Sequence, residues 1–179
     1  AAVTPLIRGA HVHLRRISSR DEAEFLERAN ASRALHGRWV SPPLRPEGFG
    51  ALLRRARRRD VETVLVCRND DGAMAGVLTV SQIVMGAFCN AYLGYYAFVP
   101  HAGQGLMTEG LDLTVRYAFE HLHLHRVEAN VQPGNAASIA LVRRCGFRLE
   151  GRSPRYLQVA GRWRDHERWA VTVEDRRGT

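Results

Sequence analysis

The chain has 179 residues, 45% of them hydrophobic, and a formal net charge of +8. That length and composition suit one folded domain spanning 1–179 with a sizeable core, and they exclude a disordered chain. Every basic residue is Arg; with no Lys, a Schiff-base lysine and a Walker-type phosphate lysine are both excluded, while the positive balance favours anionic partners such as a phosphorylated cofactor or RNA. No apolar run reaches the roughly 20 residues a bilayer-crossing helix needs. Ala1 to Pro5 lacks the basic-then-apolar pattern of a secretion signal, and Cys67, Cys89 and Cys145 are odd in number with no Cys-x-x-Cys pair. Reduced thiols and a cytoplasmic location are the simplest expectation.

In chain order, His11 to Arg15 alternates as a first strand. Ser19 or Asp21 can cap a helix running through Asn30, and a Pro-rich loop spans Trp39 to Pro46. Glu47 to Asp60 reads as a second helix carrying Arg54, Arg55, Arg57, Arg58 and Arg59, usually a solvated face and alternatively a ribosome or RNA contact. Strands at Glu62–Cys67 and Met74–Ser81 flank the turn Asn69-Asp70-Asp71-Gly72, and a third long strand runs from Cys89 to Val99. A helix from Gly105 to about Leu122 buries Leu111, Val115, Ala118, Phe119 and Leu122. Arg126–Val131 is a strand, and Asn135 starts a short helix ending at Gly146. Arg148–Tyr156 and Glu167–Val173 are two more strands around Gly161.

The segment Pro100-His-Ala-Gly-Gln-Gly-Leu-Met-Thr108 lies between a strand and a helix. There, backbone N–H groups and the positive end of a helix dipole converge, which suits a phosphate. Gly103 and Gly105 let the backbone turn and a ligand approach. The donors are expected from Gln104, Gly105, Leu106, Met107 and Thr108. Strand, loop, helix, strand predicts a parallel pair with a helical crossover inside a mixed sheet. The histidines at 11, 13, 121, 123 and 125 complete no recognised metal-ligand spacing, so no metal is expected.

Several segments together resemble the GCN5-related N-acetyltransferases, and within them the branch that acetylates N-terminal amines of ribosomal proteins. They are Tyr92-Leu-Gly-Tyr95, Gly103-Gln-Gly-Leu-Met-Thr-Glu109, His125-Arg-Val-Glu-Ala-Asn-Val131, Asn135-Ala-Ala-Ser138, Gly146-Phe-Arg-Leu-Glu-Gly151 and Gly161-Arg-Trp-Arg-Asp-His166. Ala102 stands where the family usually has Gln or Arg, and Met107 where it has a small residue. The resemblance implies an α/β fold: one twisted, mostly antiparallel sheet of six to seven strands with a splayed parallel pair, and helices on both faces. It implies acetyl-CoA (coenzyme A), with the pantetheine arm pairing near Phe98 and Val99. The acceptor would be a protein N-terminus, most simply a ribosomal protein's, or alternatively a small amine. A non-catalytic RNA-associated module is the third reading, and a monomer or homodimer is implied.

The same resemblance assigns roles. Asn135 lies near the cofactor in the family, and Ser138 is a proton donor to the leaving thiolate; both residues also suit an ordinary helix cap. Val142 occupies the position where many relatives carry an acidic Tyr and cannot donate. The strand before the loop offers Asn90, Tyr92, Tyr95 and Tyr96 but no carboxylate, so Glu128 is the candidate base, against a plain Arg-paired carboxylate. Trp39, Tyr96 and Tyr156 are candidates for the acceptor groove. Tyr156, Trp163 and His166 share the terminal hairpin, where packing is the expectation for Trp163.

Overall fold

The computed structural model describes residues 4–177; Ala1 to Val3, part of the stretch read for a signal, lie outside them. Eight strands form one sheet in the order β1-β2-β3-β4-β5-β6-β8-β7. They are β1 (Ile7–Arg8), β2 (Val12–Arg16), β3 (Val61–Arg68), β4 (Met74–Val84), β5 (Asn90–Ala97), β6 (Arg126–Val131), β7 (Arg148–Val159) and β8 (Arg162–Thr172). The helices are α1 (Glu22–Ala31), α2 (Arg33–His36), α3 (Pro46–Ala56), α4 (Leu106–Glu120), α5 (Ala136–Arg144) and α6 (Val173–Arg177). The expectation of six to seven strands falls one short. The extra strand, β1, is two residues long and carries no periodicity to detect; it pairs with β2 through Ile7↔Leu14 and Arg8↔His13.

Every neighbouring pair is antiparallel except β5 and β6. Helix α4 makes the parallel crossover and packs on one face. Its Leu111, Val115 and Ala118 are fully buried, in a core shared with Val127, Ala129, Trp169 and Val171. Helices α1 and α3 cover the other face, where Phe25 and Phe49 pack against Leu65, Val77 and Phe98. Complete burial of each of these large side chains stabilises the fold by about 1.5–3 kcal/mol.

The long hairpin β7–β8 forms the sheet's far end. Trp163, expected to pack, is 61% exposed. It sits beside the Ala160–Gly161 turn at the hairpin tip, where β8 has passed the end of β6 and only β7 flanks it.

Candidate functional site

The site is built where the parallel pair fails. Strands β5 and β6 pair only through Asn90↔Arg126, Ala91↔Val127 and Tyr92↔Glu128. Beyond that, β5 stays with β4 as far as Gly76↔Ala97, and β6 stays with β8 as far as Val131↔Glu167. The two strands therefore open as a wedge. Its closed end is clasped by Glu128, which accepts hydrogen bonds from Asn90 Nδ2 at 2.8 Å and Arg126 Nε at 2.9 Å. Arg126 also holds Glu150, and that pairing keeps the Glu150 carboxyl below the usual range despite partial burial. Glu128 is thus an Arg-paired structural carboxylate. It borders neither of the spaces described next.

The register fixes which backbone groups line the wedge. Phe98 N–H donates to Ala75 O at 2.8 Å, so Phe98, Tyr96 and Gly94 turn their backbone toward β4. By alternation, Leu93, Tyr95 and Ala97 turn theirs toward the opening. Near Phe98 and Val99, where the resemblance puts the pairing, two amides are already bonded: Phe98 N–H to Ala75 O, and Val99 N–H to Ser32 Oγ at 2.9 Å. The strand ends at Ala97, two residues before the expected boundary, which shifts the open edge back to Tyr95 and Ala97. His36 Nε2 donates to Ala97 O at 2.7 Å, leaving the N–H groups of Tyr95 and Ala97 and the carbonyl of Tyr95 on the open side.

At the wide end lies the glycine loop. Gly103 and Gly105 have φ of +75° and +78°, the left-handed region that costs other residues about 1–2 kcal/mol. Gly105 caps α4 without a side chain, and the first helical bond is Glu109 N–H to Gly105 O. The amides of Leu106, Met107 and Thr108 therefore precede any intrahelical partner and point out of the helix end. Space stands open around both glycines, since a Cβ at either would meet nothing within 4 Å. Gln104 folds back, its Nε2 donating to Pro100 O at 3.1 Å. Met107 lays its thioether over Gly76 and also borders the cleft described next. Glu109 anchors the loop to the β1–β2 turn, accepting from the amides of His11 (2.8 Å) and Val12 (3.2 Å).

A cleft of about 410 Å³ joins loop and wedge, bordered among others by Gly103, Gly105, Thr108, Tyr95, Asn135 and Arg144. A second space of about 110 Å³ adjoins it, sharing Trp39, Val40, Tyr95, Asn135 and Ser138 and reaching Asn130 and His166. Ser138 lies at the junction. Asn135 Oδ1 accepts from Ser138 N at 3.2 Å, so Asn135 is the N-cap of α5. Tyr95, which sequence reasoning passed over, places its hydroxyl 2.6 Å from Ser138 Oγ. Burial pushes the Tyr95 phenol well above its ordinary pKa, so it holds its proton. The two neutral hydroxyls are in hydrogen-bond contact, and either oxygen can donate to the other. The overlooked signal was alternation: Tyr95 shares a face with Leu93 and Ala91, the side on which α5 packs.

Trp39 borders both spaces, with the Arg38 guanidinium 4.5 Å above its ring. Tyr96 borders the larger space and packs edge-on to Phe98. Tyr156 borders neither; its ring lies 6.4 Å from His166. Of the five histidines weighed for a metal, His11 pairs with Glu109, His13 with Asn69 and His125 with Glu174, while His121 stacks on Tyr117.

A profile for the acetyltransferase (GNAT) domain matches residues 11–148. The [ribosomal protein uS5]-alanine N-acetyltransferase of Escherichia coli is 41% identical over 106 residues, 59% of this chain and 55% of that protein. Probable N-acetyltransferase YjcK of Bacillus subtilis is 38% identical over 105 residues, 59% of this chain and 58% of that protein. The chain thus spans a little over half the length of these curated relatives. The solved structure of Mycobacterium smegmatis RimJ in complex with CoA-disulfide superposes with a TM-score of 0.83 at 31% identity, covering 92% of this chain and 83% of that one.

Proposed function

The chain belongs to the GNAT acetyltransferase family, and we propose that it transfers acetyl from acetyl-CoA to the N-terminal α-amine of a protein, a ribosomal protein being the favoured class. One observation carries the reading: the wedge opens onto uncapped helix amides, a layout that fits a long ligand with a diphosphate at one end. The similarity to a uS5-alanine acetyltransferase favours the protein acceptor.

When bound, acetyl-CoA supplies an activated acyl carbon and a sulfur leaving group. The amides of Gly105 to Thr108 hold the diphosphate, with Arg144 at the cleft edge adding positive charge. Backbone of Tyr95 and Ala97 pairs with the pantetheine arm in place of the missing strand. A free strand amide polarises the reacting carbonyl. Ser138 Oγ gives a proton to the departing sulfur and is resupplied by the Tyr95 hydroxyl. Trp39 and Tyr96 shape the approach of the acceptor. Holding both reactants in one cleft supplies most of the acceleration, since an α-amine with pKa about 7.7–8.0 is partly neutral near pH 7.5.

An acceptor screen tests the reading. Short peptides starting with Ala or Ser are expected to be acetylated, and free amino acids and polyamines are not. Turnover of the small amines alone would reverse the assignment.

A further inference from the structure

His166 on β8 is 3% exposed and pairs across the hairpin with Ser153. Its Nδ1 lies 2.9 Å from the carbonyl oxygen of Arg164. A carbonyl can only accept, so Nδ1 carries the hydrogen and, in the neutral ring, Nε2 holds a lone pair. Among the described residues nothing bonds Nε2. The ring borders the smaller space together with Gly94, Asn130 and Ser138. Asn130 also borders that space, and its Oδ1 is buried without a partner. Unfilled acceptors beside a cavity call for a ligand that donates hydrogens. An amine does so; a thioester does not.

The placement is also the one acyl transfer needs. Ser138 and Tyr95, the proton-donating pair, border both spaces, and His166 borders only the smaller one. Resting on the acetyl-transfer reading above, we infer that His166 Nε2 is the proton acceptor for the attacking amine. The amine nitrogen forms its bond to the acyl carbon as the C–S bond breaks; its proton goes to Nε2, while the sulfur takes one from Ser138 Oγ. Ser138 regains a proton from Tyr95 and Tyr95 from water, and His166 returns its own to water. The Nδ1–H bond to Arg164 O becomes charge-assisted in the imidazolium, which stabilises the protonated ring.

Two measurements decide the matter. Imidazole nitrogen NMR of the free protein reads the tautomer, and an Nδ1-protonated ring is expected for His166; an Nε2-protonated ring would overturn the assignment. Turnover of a short Ala-starting peptide is then compared in wild type, His166→Gln and His166→Ala. The expectation is a fall in kcat of about 10²-fold in both variants. Acetyl-CoA affinity should stay unchanged by calorimetry, with partial recovery of His166→Ala on adding free imidazole. A His166→Gln protein as fast as wild type would refute His166 alone. A wild type that acetylates no amine would refute the functional reading, and the role of His166 with it.

Discussion

Gly76→Ala probes the contact on which the loop rests. Gly76 sits on β4 opposite Ala97, under Met107. A Cβ there would stand 2.6 Å from the Tyr96 carbonyl oxygen, and nearer still to the Met107 sulfur. The thioether can swing aside, but the carbonyl is backbone, so β5 must shift at its open edge. Overpacking of this kind costs about 1–3 kcal/mol. With a urea m-value of about 2 kcal/mol/M, the unfolding midpoint should fall by about 1 M. The shift displaces Tyr95 and Ala97 as well, so acetyl-CoA should bind about tenfold more weakly, the equivalent of about 1.4 kcal/mol. Gly94→Ala is the control on the same sheet: its Cβ would meet nothing within 4 Å, and stability should stay within about 0.5 kcal/mol. Adding Met107→Ala to Gly76→Ala should recover only part of the loss, because the carbonyl clash persists. Unfolding and calorimetry that leave Gly76→Ala equal to wild type would refute the idea that this glycine sets the loop's seat.

Other outcomes follow from the same geometry. Ser138→Ala should lower kcat by about 10²-fold, with Tyr95→Phe lowering it less and acetyl-CoA affinity unchanged in both; steady-state kinetics that find Ser138→Ala fully active would remove its acid role. Glu128→Gln should keep kcat within about threefold, since the carboxylate serves the closed end of the wedge; a 10²-fold loss would restore it as a base. Asn135→Ala should cost about 1 kcal/mol as a lost N-cap, read by thermal unfolding, and should slow turnover by loosening Ser138. Glu109 is partly buried, which would raise its pKa, yet the donors from His11 and Val12 outweigh burial and lower it. Its stabilisation is therefore present above the ordinary Glu value of about 4.3 and lost as pH falls through the lower folded value. Urea midpoints of wild type should drop more steeply in that acid range than those of Glu109→Gln; parallel pH profiles would contradict this.

Much of this architecture was legible because period and punctuation agreed. The stripe Leu111, Val115, Ala118 landed in the core, and the Asp71-Gly72 turn joined its two strands as expected, with Gly72 at φ +75°. The glycine loop was readable because strand, turn and helix signals met within nine residues. What stayed hidden depends on partners remote in sequence. Sequence leaves Glu128 open between a base and an Arg-paired carboxylate; only the fold shows Asn90 and Arg126 as its partners. The resemblance puts the pairing near Phe98 and Val99; only the buried Ser32 hydroxyl, sixty-seven residues away in sequence, shows where the Val99 amide goes. The Tyr95–Ser138 contact spans two elements of the same face, and His166 reaches the second space through a hairpin whose overhang no local pattern encodes.

Calorimetric titration with acetyl-CoA bears most directly on whether the sheet's unpaired seam is a cofactor site. One molecule should bind per chain. Gly105→Val, which forces a β-branched residue into the left-handed conformation at the head of α4, should abolish that binding without unfolding the protein. No heat of binding to the wild-type chain, or undiminished affinity in Gly105→Val, would contradict the account.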